Sequence, residues 1–153
     1  AVAFLFMAVV GGLAVSVRAN FIELFTMAGS SMSPTLDDRS KILVRKDAYR
    51  DQDPVRNDLV AFRNPENRSQ TWVKRVIGLP GDELAIKAGE VYVNGERLEE
   101  IETVDVDRAE LAPQIVPEHH CYVLGDNREL SYDSRHIGPV PMIALVGKVV
   151  YIR

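Results

Sequence analysis

A chain of 153 residues, 46% of them apolar, suits one compact domain with enough hydrophobic material to close a single core. The formal net charge of −4 provides no basic footprint and argues against nucleic acid as a partner. The lone cysteine, Cys121, excludes an internal disulfide and lies in the apolar run HCYVL, where it reads as a small buried hydrophobe.

Residues 1–17 (AVAFLFMAVVGGLAVSV) carry no charge, and the first charged residue is Arg18. A helix of that length falls at the short end of the roughly 17–25 residues that span a bilayer. The start at Ala1 rather than Met leads us to expect further residues upstream. A buried core helix and the apolar part of a cleavable signal are the rival readings, but a core helix keeps a polar face and this stretch has only Ser16. The expectation is therefore a membrane anchor over residues 1–19 and an extramembrane β-rich domain over residues 20–153.

Beyond the anchor the pattern changes to short, branched segments. Residues 41–46 (KILVRK), 59–62 (LVAF) and 72–77 (WVKRVI) read as strands separated by turn formers. Residues 83–98 read as a small meander, with Asn94-Gly95 supplying the two positive φ angles of a type I′ turn. Residues 121–124 and 144–152 predict further strands. The acidic stretch 99–118, with Pro113 and Pro117, shows no period and is expected to be a loop or extended excursion. The fold class is mostly β: a coiled antiparallel sheet or partly open barrel, with one N-terminal transmembrane helix.

Three segments carry candidate chemistry. The first, Gly29-Ser30-Ser31-Met32-Ser33-Pro34-Thr35-Leu36, would alone be an ordinary serine-rich turn. The second runs from Lys74 to Asp82 (KRVIGLPGD). Neighbouring strand residues point to opposite faces, so either Lys74 or Arg75 must face inward or into a cleft. An edge-strand charge that deters aggregation is the plainer alternative. The third, Gly125 to Arg135 (GDNRELSYDSR), would alone be a polar turn.

In combination and order, these segments resemble the type I signal peptidases. The family's Ser-Met-x-Pro-Thr-Leu is matched by residues 31–36, its Lys-Arg-x-x-Gly-Leu-Pro-Gly-Asp by residues 74–82, and its Gly-Asp-Asn-Arg-x-x-Ser-x-Asp-Ser-Arg by residues 125–135. A weaker match is residues 58–62, where Asn57 precedes Asp58 in place of the usual Gly. The resemblance covers roughly residues 20–150, and three ordered motifs are far more specific than one. It implies a membrane-bound serine endopeptidase with Ser31 as nucleophile and Lys74 as general base. It also implies Ser131 orienting the lysine, an Asp133–Arg135 salt bridge bracing that turn, and oxyanion support near Gly29 and Ser30. Met32 and Pro34 would border the substrate.

The implied substrates are secretory preproteins cut after small-x-small sites such as Ala-x-Ala, with no metal or other cofactor. The implied location is the cell (inner) membrane, crossed once, with the catalytic domain on the non-cytoplasmic side against the lipid bilayer. Oligomeric state is left open. Departures from the family pattern are Gly29, where many members have an oxyanion-holding Ser, and Glu129-Leu130 in place of Asp-Asn. The chain is also short, so the large extra β domain of some relatives must be missing or reduced to residues 99–118.

The Ser-Lys logic stands without the family. A serine hydroxyl needs a base to take its proton, and a lysine amine serves only when neutral, far below its ordinary pKa of about 10.4. Burial among Trp72, Val73, Val76 and Ile77 would push Lys74 in that direction.

Other candidates are weaker. His119, His120 and Cys121 alternate in direction along a strand and cannot easily converge on a metal. His136 could build a Ser-His-Asp triad with Asp126 or Asp133, but Lys74 sits in the fuller motif. Trp72 and Phe62 read as core, and Phe21 and Phe25 as membrane-interface aromatics. Two rival functions are a cytosolic self-cleaving Ser-Lys protease and a non-catalytic membrane-tethered peptide-binding module. The apolar anchor argues against the first, and the joint presence of Ser31, Lys74 and Ser131 against the second.

Overall fold

Short runs of branched and aromatic residues cannot bury an apolar face alone and must pair over long range. In the computed structural model, which describes residues 21–99 and 107–152, they do so as eleven strands. These are β1 (Ile22–Thr26), β2 (Lys41–Arg45), β3 (Leu59–Arg63), β4 (Thr71–Gly78), β5 (Glu83–Lys87) and β6 (Glu90–Val93). They continue with β7 (Glu96–Arg97), β8 (Leu111–Ile115), β9 (His120–Leu124), β10 (Val140–Pro141) and β11 (Leu145–Ile152). A single helical turn, α1 (Ser134–Ile137), follows β9.

Seven strands form one antiparallel sheet in the order β1-β2-β11-β3-β4-β9-β10, and four form a second in the order β7-β6-β5-β8. Register shifts interrupt β11 against both β2 and β3, and β4 against β9. Such bulges add bend and twist, and the larger sheet curls into a half-barrel. Its two faces bury separate clusters. Met32, Leu36, Ile42, Val44, Ala61 and Val73 pack on one side; Val60, Phe62, Val76, Cys121 and Val123 pack on the other. The smaller sheet closes over Leu84, Ile86, Val91 and Val93, against Ile77 and Tyr122 from the larger one.

The expected coiled antiparallel sheet is present, with strand limits mostly within one or two residues of those read from sequence. Asn94 and Gly95 take φ of 53° and 83°, as the hairpin turn requires. Three strands lacked a signal: β1, the two-residue β10, and β8. The last lies inside the acidic stretch and corrects the expectation of a loop throughout residues 99–118. Pro113 within β8 hides it, since proline suppresses a strand reading. Among the described residues the strand pairs with β5 alone, at the sheet's edge, and Pro113 falls where the register shifts, positions that tolerate a missing N–H. Among the described residues no helix is long and apolar enough to cross a membrane; the anchor expected over residues 1–19 lies outside them.

Candidate active site

The loop after β1 is held at both ends by its sequence. Gly29 adopts φ of 89° and its N–H donates to Asp38 Oδ1 at 2.8 Å. Farther on, the Leu36 N–H donates to the Met32 carbonyl at 2.8 Å, and both side chains are fully buried. Those two apolar anchors fix the turn, and Ser31, the residue before them, borders a cleft of about 550 Å³. Met32 belongs to the core and Pro34 is exposed; neither lines the cleft.

Lys74 reaches the cleft from β4, paired with Val60 in the sheet interior. Its Nζ donates to Ser31 Oγ at 2.7 Å. The residue is 4% exposed, and burial lowers its pKa from 10.5 to about 8. Asp133 and Asp126 oppose that shift, and Arg135 reinforces it. The Lys74 amine also stands 5.8 Å from the Trp72 ring centroid.

Only one member of the Lys74-Arg75 pair was expected to face inward, yet both are buried. Strand alternation sends Arg75 the other way, where its guanidinium grips Asp126 with Nε–Oδ1 and Nη2–Oδ2 distances of 2.8 and 2.7 Å. Asp126 also accepts a 2.5 Å hydrogen bond from Thr35 Oγ1. This fork ties β4 to the serine loop and to the turn after β9. Arg75 is thereby a brace across the site, turned away from the Lys74 amine.

The third segment closes the back of the site. Gly125 is so tightly placed that a Cβ would lie 2.2 Å from Ser131 Oγ and 2.4 Å from the Ser31 carbonyl oxygen. Its N–H donates to Asp133 Oδ2 at 2.9 Å, while the Asn127 N–H donates to the Ser31 carbonyl at 3.2 Å. Asp133 caps α1, and Arg135 holds both of its carboxylate oxygens at 2.9 Å. Burial alone would raise the Asp133 carboxyl, but Arg135 and the Gly125 N–H outweigh it and hold its pKa below the usual range. Arg135 also donates to the Arg128 and Ser131 carbonyls. Ser131 is buried beside Gly125. Its Oγ falls short of full hydrogen-bond geometry with its polar neighbours, so the direct bond from Lys74 goes to Ser31 rather than Ser131.

Other sequence candidates fall elsewhere. His136 is exposed, receives the Asp133 N–H at Nδ1 (3.5 Å) and stacks on Tyr132 at 4.5 Å, outside the cleft lining. Cys121 is buried with its thiol pushed up to about 12, as befits an inert core residue. Trp72 and Phe25, expected in the core and at a membrane interface, are partly exposed walls of the cleft. Gly125 carried no separate signal, since a glycine in a polar turn is ordinary; only the close approach of the Ser31 backbone and the Ser131 side chain reveals its role. Chemically, the arrangement offers a hydroxyl beside a largely desolvated amine. Among the described residues the Ser31 N–H has no acceptor and remains available to an oxyanion.

A profile of the family described as signal peptidase, peptidase S26, matches residues 1–153. A probable signal peptidase I-2 of Synechocystis sp. is 40% identical over 142 residues, which cover 89% of this chain and 65% of that protein. A signal peptidase I of Bacillus caldolyticus is 37% identical, covering 95% of this chain and 85% of the relative. The crystal structure of a signal peptidase I from Enterococcus faecalis superposes with a TM-score of 0.55 at 32% identity, over 65% of this chain and 98% of that one. The chain spans about two-thirds of the Synechocystis protein's length and more of the Bacillus one. It belongs to the signal peptidase family, peptidase S26, a family of serine endopeptidases.

Proposed function

We propose that this protein is a membrane-bound endopeptidase that removes N-terminal signal peptides from secretory preproteins after small-x-small sites by a Ser-Lys mechanism. The observation that carries the reading is the 2.7 Å contact between Ser31 Oγ and a buried Lys74 whose pKa has fallen to about 8. Near neutral pH a useful fraction of that amine is unprotonated, and it accepts the Ser31 proton as the hydroxyl attacks the scissile carbonyl. The tetrahedral oxyanion takes the Ser31 N–H, with a second donor from the Gly29–Ser30 turn. Lys74 then returns the proton to the leaving amine, and water hydrolyses the acyl-serine in the reverse sense.

Ser131 packs against Gly125 beside the Ser31 carbonyl, and Asp133 with Arg135 holds that turn. The substrate lies extended along the cleft, where β1 leads into the serine loop and, among the described residues, has β2 as its one sheet neighbour. Phe25, Ile42 and Trp72 narrow the walls toward small side chains, and Met32 backs them from the core. An anchor over residues 1–19 would hold the cleft at the bilayer on the non-cytoplasmic side, where signal peptides emerge.

The test is cleavage of a preprotein with an Ala-x-Ala site, in detergent, by wild type, Ser31→Ala, Lys74→Ala and His136→Ala. Cleavage after the second Ala by wild type and His136→Ala alone supports the reading. Near-normal activity in Lys74→Ala sinks the mechanism.

A further inference from the structure

Arg135 has one arm that the Ser131 turn does not use. Its Nε and Nη2 are taken by Asp133, with Nη2 shared with the carbonyls of Arg128 and Ser131. The remaining nitrogen, Nη1, donates to Asp107 Oδ2, a residue 28 positions earlier in the sequence. Arg135's side chain is 8% exposed and that of Asp107 28%, so this is a half-buried pair rather than a solvated surface contact. Asp107 is itself aimed by its surroundings, since its Oδ1 accepts the Ala109 N–H at 3.1 Å. Ala109 in turn packs against the core of the smaller sheet, two residues before β8 begins.

We propose that Asp107 is a positioning residue for the reaction, through which the smaller sheet holds Arg135 and thereby the turn behind Lys74. This rests on the Ser31–Lys74 reading above. The chain of contacts is short: Asp107 fixes the outer arm of the guanidinium, and the guanidinium fixes Asp133 and the Ser131 carbonyl. Asp133 fixes Gly125, which lies against Ser31 and Ser131. A guanidinium held on both edges is fixed against the rest of the fold, whereas one held only on its inner edge, by Asp133 and the Arg128 and Ser131 carbonyls, can pivot together with that turn. The pivot would move the Ser131 carbonyl and Gly125 relative to Ser31, so catalysis suffers most; of the cleft lining, Leu130 and Tyr132 ride on the moving turn while Phe25, Ile42 and Trp72 stay in place. The acidic stretch that looked like a loop thus supplies the outermost support of the site.

The experiment measures kcat and KM on the Ala-x-Ala preprotein for Asp107→Asn, Asp107→Glu and Glu90→Gln, with Ser31→Ala alongside. Glu90→Gln removes an exposed pair with Arg97 from the same smaller sheet and controls for general loosening. The expected result is a fall in kcat of about ten- to a hundred-fold for Asp107→Asn with a much smaller change in KM. Partial recovery in Asp107→Glu and wild-type rates in Glu90→Gln are expected beside it. An Asp107→Asn enzyme with wild-type kcat overturns the inference, as does one whose loss matches that of Glu90→Gln. If Ser31→Ala itself still cuts, the Ser-Lys reading has failed instead, which is a separate and recognisable result.

Discussion

Behind the cleft, the larger sheet buries Lys74, Arg75, Asp126, Asn127, Arg128, Ser131 and Asp133. The smaller sheet closes over Leu84, Ile86, Val91 and Val93, and among the described residues β5–β8 contribute no buried charged side chain. An apolar core is tolerant: removing a methyl costs little more than its transfer energy and cavity. A buried polar network is not, because each member is satisfied only while its partner stays in place. The difference teaches where this fold stores its chemistry, and substitutions matched across the two sheets can break or sharpen it.

The largest contrast should come from two glycines. Gly125→Ala would drive a methyl into Ser131 Oγ and the Ser31 carbonyl, both backed by buried structure that cannot retreat. We expect activity to fall by at least about a hundred-fold, since displacement of a reacting group by an ångström suffices for that. Gly95→Ala, in the β6–β7 turn, meets nothing within 4 Å and suffers only from its φ of 83°. It should cost about 1–2 kcal/mol of stability with kcat unchanged. Equal rates for the two variants would mean that the close approach at Gly125 does not shape the site.

That contrast also marks what a reader of the sequence can reach. The strands β2, β3, β4, β9 and β11 announce themselves because each has enough branched residues in a local run, and Asn94-Gly95 announces its turn. The convergence of Ser31, Lys74 and the turn at Ser131 was legible only because three motifs occurred in order; no periodicity brings residues 31, 74 and 131 together. What stayed hidden depends on long-range geometry. The strand β8 needs β5 to exist, Arg75 needs Asp126 to be buried, and Asp107 needs the fold of both sheets to find Arg135. Trp72 read as core because an aromatic in an apolar strand usually is; that a cleft opens beside it is decided by β1 and the serine loop.

Second in size is the buried ion pair. The side chains of Arg75 and Asp126 are 9% and 2% exposed, so Asp126→Asn strands a guanidinium without its counter-charge. Breaking one side of such a pair costs about 3–5 kcal/mol. Glu90→Gln breaks the Arg97 pair, whose side chains are 64% and 44% exposed, and should cost less than about 1 kcal/mol. Urea unfolding midpoints at constant m decide it. Similar losses for the two variants would show that water reaches the Arg75 fork.

The smallest of these effects is the one most tightly bound to function. Lys74 titrates near 8 in the fold and near 10.5 when unfolded, so the fold prefers its neutral form. Below pH 8 both states hold the proton, and the folded state bears the full penalty of roughly 3 kcal/mol. Between about pH 8 and 10.5 the unfolded chain binds more protons than the folded one, so stability rises with pH across that window and the penalty disappears above it. Lys74→Met fills similar space without a charge. It should therefore be inactive yet more stable than wild type at pH 7, by up to that roughly 3 kcal/mol, with the advantage fading as pH climbs through the window. In wild type, kcat/KM should rise with pH toward a plateau with a midpoint near 8, because only the neutral amine can take the Ser31 proton. A Lys74→Met protein no more stable than wild type at pH 7 would mean that the amine is well solvated in the free enzyme. The lysine could then act as a base only once a bound substrate had expelled the water, and the rise in kcat/KM would move toward the ordinary lysine range.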